Sequence, residues 1–233
     1  MAVGGSVRRA LIDGLFYGQD PYSGFTPTMA PDLQGWNSDH IYLPEAIDRQ
    51  RPSIVAEVGV WKGTSVLTMA RRMREIGIDG VVIAVDTWLG SSEHWLDPNL
   101  KGLIPIMNGF PLLYFVFMSN VVAEGLQDYV LPLPLDSASA CEVLRSKNIR
   151  PGLLHVDAAH DYAAVTADLE RWWSLLQPSG TLIADDYDAT HQVWGSVSRA
   201  VDDFKARTPH QDFAALPYKC RFKKPPDWRP IPA

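Results

Sequence analysis

Short runs of apolar residues alternate with segments of helical periodicity along most of the chain. In the segment after the first run, Val66, Met69 and Met73 recur every three or four positions, as on the buried face of a helix. Apolar strands that alternate with helices are typical of a parallel sheet covered on both faces. We therefore predict a doubly wound α/β sheet, with parallel strands at 53–59, 81–86, 129–136, 153–158 and 180–187.

The segments at the two ends complete the domain organisation. A hairpin predicted over Phe213–Phe222 would bring the sheet to seven strands, most of them parallel. Residues 1–52 precede the sheet, and their long loop is rich in Gly, Pro, Tyr and Phe, so we predict a lid over the ligand-binding edge. The alternative is a segment packed on an outer face or at a subunit contact. The predicted domains are thus 1–52 (lid), 53–223 (ligand-binding domain) and 224–233 (surface tail).

Composition and charge exclude several classes of partner. The chain has 233 residues, of which 46% are hydrophobic, and a net charge of -6, which argues against nucleic acid as a partner. The most apolar stretch, 110–118, is about half the ~20 residues that a membrane helix needs, so we predict a buried or subunit-contacting segment and no membrane partner. We expect a homo-oligomer. Cys141 and Cys220 have no metal-type spacing and no signal peptide is evident, which favours reduced thiols in the cytoplasm.

Acidic residues stand where the predicted strands end. In a doubly wound sheet, ligands bind outside the carboxyl ends of the strands. The acids at those ends are Glu57, Asp86, Asp136, Asp157 and the pair Asp185 and Asp186. We therefore expect the acids to converge on one edge of the sheet and to need partners there. Ser137 or Ser139 is predicted as the N-cap of the helix after the third strand.

The turn after the first strand, "EVGVWKGTS" (57–65), indicates an adenosine ligand. Gly59 and Gly63 allow a tight turn and a close approach of a ligand to the backbone. The turn lacks G-x-G-x-x-G and the Lys-Ser/Thr of a P-loop, which disfavours a nicotinamide oxidoreductase and a nucleotide phosphate site. Asp86 ends the second strand, where an acid accepts hydrogen bonds from a ribose diol. A structural turn without a ligand is the alternative.

Several segments together carry a family resemblance. They are "AEVGVWKGTS", "VIAVDTWLGSSEHW", "NVVAEGLQDYVLPLPLDS", "HVDAAHDYAAVTADLERWWSLLQPSGTLIADDY" and "GSVSRAVDDF". In order and spacing, the region 35–204 resembles the class I S-adenosylmethionine (SAM)-dependent methyltransferases. It is most similar to the branch of the macrocin and novobiocin sugar O-methyltransferases and the cephamycin-cluster methyltransferase-like proteins. The resemblance implies a Rossmann-like methyltransferase fold with SAM as cofactor.

The resemblance also implies roles for individual residues. Glu57, Gly59 and Gly63, in the turn that ends at Ser65, would frame the methionine end of SAM, and Asp86 would hold the ribose. Trp61 departs from the small residues usual in such turns. The remaining implied contacts are Thr87 and Trp88 beside the ribose, Asp136 and Ser137 near the adenine, and Asp157.

A divalent metal site is predicted at Asp157, Asp185 and Asp186. Three crowded carboxylates raise one another's pKa values unless a cation offsets them, and oxygen ligands suit Mg²⁺, Ca²⁺ or Mn²⁺. In the sugar O-methyltransferases that the chain resembles, matching acids bind a divalent ion that orients the acceptor hydroxyl, and we expect Mg²⁺ here. The alternative is that Asp186 or Asp188 caps the next helix and Asp185 faces solvent.

His160 is the predicted general base, because an imidazole titrates near neutral pH and could accept the proton of an alcohol. A surface position is the alternative reading, His191 is a second candidate base, and Asp161 is predicted to cap the next helix. With Asp157 and His160 as catalytic residues, the sequence predicts a SAM-dependent, metal-assisted O-methyltransferase acting on a small-molecule hydroxyl, in a sugar or secondary metabolite. The alternatives are metal-independent transfer to a phenolic or nitrogen acceptor, and a non-catalytic SAM-binding accessory protein.

Overall fold

The computed structural model describes residues 5–100 and 102–229. Its α-helices are α1 (Gly5–Phe16), α2 (Tyr42–Gln50), α3 (Thr64–Glu75), α4 (Ser92–Leu96), α5 (Leu113–Ala123), α6 (Ser137–Ser146), α7 (Tyr162–Leu175) and α8 (Gly195–Arg207). Its strands are β1 (Ile54–Val58), β2 (Val81–Val85), β3 (Ile106–Met107), β4 (Phe110–Pro111), β5 (Val130–Leu133), β6 (Leu153–Val156), β7 (Thr181–Tyr187), β8 (Gln211–Leu216) and β9 (Tyr218–Lys223).

Seven strands form one sheet in the order β5-β2-β1-β6-β7-β9-β8. The first five are parallel, and the hairpin β8–β9 adds two antiparallel strands beside β7. The direction of strand succession reverses between β1 and β6, where a doubly wound sheet opens a crevice for ligands. The predicted fold class is therefore confirmed, including the closing hairpin.

The edge strand β5 tolerates a proline because only one side of it is paired. Pro132 lies opposite Ala84 of β2, and among the described residues no further strand pairs with the outer side of β5. The sequence analysis missed the short hairpin β3–β4 and the helix α4. An Asn-Gly pair at the hairpin turn, with positive φ at Asn108 and Gly109, was the available signal.

Two apolar layers cover the sheet, one on each face. Leu11 and Ile12 of α1 are 3% exposed and belong to one layer, whereas α2 packs on α3 in the other layer. The amino-terminal helix is thus part of the core, which supports the alternative reading of a segment packed on an outer face.

The apolar stretch 110–118 forms β4 and the first half of α5. Phe117 and Met118 are buried in the apolar layer that also contains α2 and α3. In the part of the chain that the structure describes, every helix is too short or too polar to cross a membrane.

The predicted tail begins inside the packed structure. Lys224 is 1% exposed, and its ammonium group donates hydrogen bonds to the carbonyl oxygens of Trp173 and Leu176, at the end of α7. Those carbonyls have no partner within the helix, so a cation there acts as a C-terminal cap. Residues 225–229 follow outside the sheet.

Candidate active site

A cleft of about 1030 Å³ opens at the carboxyl ends of β1, β2, β6 and β7. It lies at the reversal between β1 and β6, where the fold predicts a ligand. The predicted site residues that line it are Gly59, Ser65, Asp86, Thr87, Asp136, Ser137, Asp157, His160, Asp185 and Asp186. One cleft thus joins the turn 57–65, called the cofactor turn below, to the acidic edge, which is the group of acids Asp157, Asp185 and Asp186.

The turn after β1 is held against the end of β6. A Cβ atom at Gly59 would lie 1.9 Å from the carbonyl oxygen of Asp157, so only glycine allows this approach. The next residues, Val60 and Trp61, donate their backbone N–H groups to Asp86 Oδ2 at 2.7 and 2.9 Å. Trp61 adopts φ 54°, a left-handed conformation that costs energy in a non-glycine residue. The Asp86 carboxylate stabilises that conformation.

Asp86 is engaged differently from its predicted role. Its second oxygen, Oδ1, accepts a hydrogen bond from the Trp88 backbone N–H at 2.7 Å. Both oxygens therefore bind backbone groups of the site itself, although Asp86 lines the cleft. Its primary action is to shape the turn, and a contact with a ribose would use the remaining lone pairs.

Three predicted cofactor contacts lie behind the cleft wall instead of on it. The Glu57 side chain is fully buried and accepts a hydrogen bond from Ser65 Oγ. Gly63 is the N-cap of α3, where a Cβ atom would come within 2.5 Å of the Phe117 ring. The Trp88 side chain is buried, and its indole donates to the Trp61 carbonyl oxygen at 3.0 Å. These residues support the turn that lines the cleft, and their place around the cofactor stays a prediction.

On the far side of the cleft, Asp136 caps α6. Its Oδ1 accepts the backbone N–H groups of Ala138 and Ser139, each at 3.0 Å. The N-cap is therefore Asp136 and not Ser137 or Ser139, because β5 ends at Leu133, three residues before the predicted strand end, and leaves Asp136 free to cap the helix. Ser137 Oγ instead bonds Asp168 and accepts from the Trp172 indole.

The acidic edge contains a buried chain of charged groups. Lys219 of β9 lies opposite Asp185 of β7, and its ammonium group forms an ion pair with Asp185 Oδ2. Lys219 Nζ also lies 3.3 Å from His155 Nε2, and His155 Nδ1 lies 3.3 Å from Glu57 Oε2. Lys219, His155 and Glu57 have no exposed surface. Asp185 Oδ1 accepts from the Asp186 backbone N–H at 2.8 Å, so both Asp185 oxygens have partners.

The pKa directions follow from this packing. Burial would raise the pKa of Asp185, but the His155 hydrogen bond and the Lys219 charge outweigh it, so the pKa falls below its ordinary value. Burial and the charge of Lys219 would lower the pKa of His155, but Glu57 and Asp185 raise it above the ordinary value. This buried row of groups thus pairs the acids Glu57 and Asp185 with the basic side chains His155 and Lys219.

His160 occupies a second bridge between carboxylates. Its Nδ1 lies 2.9 Å from Glu93 Oε2 and its Nε2 lies 2.9 Å from Asp186 Oδ2. The imidazole stacks on the Trp194 ring with a centroid distance of 4.2 Å. Burial would lower the pKa of His160, but Asp186 and Glu93 outweigh it and raise the pKa. The ring is thus fixed in position, and the pKa of His160 lies above the ordinary value for histidine.

Among the described residues, Asp185 and Asp186 form ion pairs with side chains, whereas Asp157 forms none. Its backbone N–H donates to the Val58 carbonyl oxygen, which fixes the residue at the end of β6. Burial, and then repulsion from Asp185, raises the pKa of the Asp157 carboxyl well above its ordinary value. A cleft-lining carboxyl of this kind is suited to exchange a hydrogen bond or a proton with a bound hydroxyl.

The predicted metal ligands Asp157, Asp185 and Asp186 do not fit a divalent ion as one set. Asp185 is already neutralised by Lys219, whose ammonium would repel a second cation. Two other groups bring one ligand atom each to within 4.8 Å of one another. One is His155, Asp157 and Asp185, in which the Lys219 ammonium already lies 3.3 Å from His155 Nε2. The other is Asp157, His160 and Asp186. However, both nitrogens of His160 are bonded to carboxylates, which favours the imidazolium, and an imidazolium has no free lone pair for a metal.

The loop before α2 forms another wall of the cleft. Residues 35–38 line it, and the Trp36 ring lies 6.1 Å from the Trp61 ring, which in turn stacks on His94 at 4.3 Å. The loop is tied to the cofactor turn because Lys62 Nζ pairs with Asp32 Oδ2 at 2.6 Å. Within the predicted lid, 1–52, this loop is the part that meets the cleft.

The other predicted alternatives lie outside the cleft. His191 Nε2 bonds Asp202 Oδ2 of α8 at 2.9 Å, so it does not reach the acidic edge. Asp188 accepts hydrogen bonds from Thr190 and from the backbone of the next turn, and these bonds lower its pKa to about 2. Asp161 caps α7 through a 3.0 Å bond from the Ala164 N–H, as predicted.

Sequence reasoning missed three residues that complete the site, Glu93, Trp194 and Lys219. Glu93 lies 67 residues from His160 in the chain, so spacing could not pair them. Lys219 offered no distinguishing signal, because it alternates with Arg221 and Lys223 along β9, as solvent-facing basic residues of a hairpin strand do. Its partner could not be identified without the register between β7 and β9.

Solved structures share the fold over most of the chain. An O-methyltransferase from Bacillus cereus in complex with SAH has a TM-score of 0.58 and 14% identity, covering 93% of this chain and 96% of that chain. The O-methyltransferase TomG from Streptomyces achromogenes, involved in tomaymycin synthesis and solved with SAM, has a TM-score of 0.53 and 14% identity, covering 83% of each chain. At such identities the likeness defines the fold, a Rossmann-like methyltransferase fold.

The family follows from the sequence itself. The profile of a methyltransferase domain family matches residues 56–187, more than half of the chain, from within β1 to the end of β7. The chain belongs to this methyltransferase domain family, and the predicted enzyme class, a methyltransferase, is confirmed. Comparison with curated proteins gave no significant match.

Proposed function

We propose that the protein is a SAM-dependent O-methyltransferase that acts on a hydroxyl group of a small molecule. The observation that carries this proposal is the continuity of one cleft, in which the turn 59–65 meets a histidine held by two carboxylates. The O-methyltransferases of the same fold that were solved with SAM or SAH support the choice of cofactor.

The cofactor would lie along the turn after β1. Gly59, packed against the Asp157 carbonyl, fixes the turn that lines this part of the cleft, and Ser65 and Asp86 line the adjoining wall. Asp136 and Ser137 stand at the opposite end, about where the adenine would reach. The negative charge of this edge also suits the cationic sulfonium of SAM.

Methyl transfer needs an acceptor oxygen in line with the sulfonium and a base for the hydroxyl proton. Neutral His160 would accept that proton at Nε2, once the acceptor has displaced Asp186 and the earlier Nε2 proton has passed to solvent, while Glu93 holds the proton on Nδ1 and stabilises the imidazolium that forms. The Asp157 carboxyl would orient the hydroxyl by a hydrogen bond. The oxygen–carbon bond forms as the sulfur–carbon bond breaks, so the products are a methyl ether and neutral SAH. Most of the rate gain would come from positioning.

The acceptor is proposed to be a sugar or another secondary metabolite. The cleft is larger than a cofactor of SAM size needs, and the Trp36 and Trp194 side chains line its outer part, where they could stack on a ring. TomG, of the same fold, acts in the synthesis of such a metabolite, tomaymycin. The cytoplasmic location and a homo-oligomeric state are further proposals, of which the two buried free thiols support the first.

The proposal is tested by methyl transfer from labelled SAM to a panel of sugar and phenolic hydroxyl acceptors. We expect turnover by the wild type, a large loss in His160→Gln, and near wild-type turnover in His191→Gln, because His191 bonds Asp202 away from the cleft. Binding of SAH without turnover on any acceptor would instead favour an accessory protein. Equal turnover in both variants would remove His160 as the base.

A further inference from the structure

Lys219 is a buried ammonium at the place where the sequence pattern predicts a metal ion. It comes from β9, and antiparallel pairing sets it directly opposite Asp185. Its side chain has no exposed surface, and its ammonium contacts Asp185 and lies 3.3 Å from His155 Nε2. An ammonium group removed from water is strongly unfavourable unless an anion compensates it. The pair with Asp185 supplies that compensation.

The position of Lys219 bears directly on metal binding. A divalent ion ligated by Asp185 would lie within a few ångströms of the ammonium, and repulsion between cations is strong where water is excluded. The other cluster acid with fixed geometry, Asp186, is bonded to His160 at 2.9 Å. Of the three acids that would ligate a metal, Asp185 is therefore paired with Lys219 and Asp186 with His160, and only Asp157 has no basic side chain as its partner among the described residues.

We propose that Lys219 supplies the positive charge that a divalent ion would otherwise bring to Asp185, so that the protein binds its cofactor and transfers the methyl group without a metal. The methyl-transfer part rests on the proposed function. The metal-binding part does not, because it concerns only the charges around Asp185. Lys219 acts here as a positioning residue, since it would touch neither cofactor nor acceptor.

The proposal is tested by titrating Mn²⁺ into the full-length protein and following binding by calorimetry and by the electron spin resonance of the free ion. Lys219→Met removes the charge and keeps an apolar chain of similar length. Lys219→Arg keeps the charge. Lys223→Met is the matched control, because Lys223 lies in the same strand but is 40% exposed, with only a 3.9 Å contact to Asp212.

We expect no binding of Mn²⁺ to the wild type below millimolar concentration, and the same for Lys219→Arg and Lys223→Met. Lys219→Met should bind Mn²⁺ at least tenfold more tightly, because Asp185 loses its cation. The added change Asp185→Asn should abolish that gain. Wild-type affinity for SAH should change less than twofold on adding a chelator.

Stoichiometric binding of Mn²⁺ to the wild type at micromolar concentration would overturn the proposal, above all if Asp186→Asn abolished it. Lys219→Met with no gain in affinity would also overturn it. If Lys219→Met does not fold, the wild-type titration and the effect of chelator on SAH affinity still decide between the outcomes. Failure of SAH binding itself would count against the proposed function and not against the role of Lys219.

Discussion

Substituting Asp86 by alanine separates two roles for this carboxylate, shaping the cofactor turn and contacting a ribose. The side chain accepts three backbone hydrogen bonds, from Val60, Trp61 and Trp88, at 2.7 to 2.9 Å. In Asp86→Ala, these N–H groups lose their acceptor in a half-buried place. Each such bond contributes about 1 kcal/mol net to stability. The left-handed Trp61 relaxes in part, which returns about 1 kcal/mol.

The balance is a loss of about 2 kcal/mol in the free energy of unfolding, or roughly 4–8 °C in Tm for a chain of this size. Urea unfolding measures it. The control is Asp136→Ala, which removes an exposed N-cap with two backbone bonds and should cost about 1 kcal/mol. SAH affinity, measured by calorimetry, should fall in Asp86→Ala because the turn loses its shape. Unchanged stability together with lost SAH binding would refute this reasoning and favour the ribose role alone.

Three further predictions concern the acidic edge and the aromatic wall. Glu93→Gln should lower the pKa of His160, because the Glu93 carboxylate helps to raise it. The rising limb of kcat/KM against pH should then move to lower pH, and the plateau should be smaller. A limb that does not move would contradict this prediction. Asp157→Asn should abolish turnover yet raise Tm, because burial and the Asp185 charge raise the native pKa of Asp157. The wild type therefore loses stability as pH rises from about 4 through the raised pKa of Asp157, because the buried carboxyl becomes charged, whereas Asp157→Asn does not. The Tm of Asp157→Asn should exceed that of the wild type most at about pH 8 and equal it near pH 4. An equal difference at both pH values would show that the charge of Asp157 is not the cause. Trp36→Ala should leave SAH affinity within about twofold but raise KM for the acceptor by about tenfold, a loss of roughly 1–2 kcal/mol of ring contact, which steady-state kinetics measures.

The sheet could be predicted because its strands carry local signals. Continuous apolar runs such as 81–86 and the helical spacing after them depend only on nearby residues, and five parallel strands with a closing hairpin follow from them. The strand weakened by Pro132 was recovered for the same reason. The N-cap of α6 was assigned one or three residues late, at Ser137 or Ser139, because these serines and the Asp136 before them all have capping side chains.

The candidate site could be predicted only as far as single strand ends define it. Asp157, Asp185 and Asp186 were expected to lie together, and they do. The partners that set their charge come from distant parts of the chain, Glu93 from α4 and Lys219 from β9, and their positions depend on packing and strand register. The pattern of acids therefore indicated that a positive charge is needed at this edge, whereas the pairing of Lys219 with Asp185 could not be read from the sequence.

The measurement that tests the central claim most directly is calorimetric titration of SAH into the wild-type protein. The account predicts saturable binding of one SAH per chain, weakened in Asp86→Ala and competed by SAM but not by NADH. Absence of binding by SAH and SAM at millimolar concentration would contradict the claim that the cleft between β1 and β6 is the cofactor site of a SAM-dependent methyltransferase.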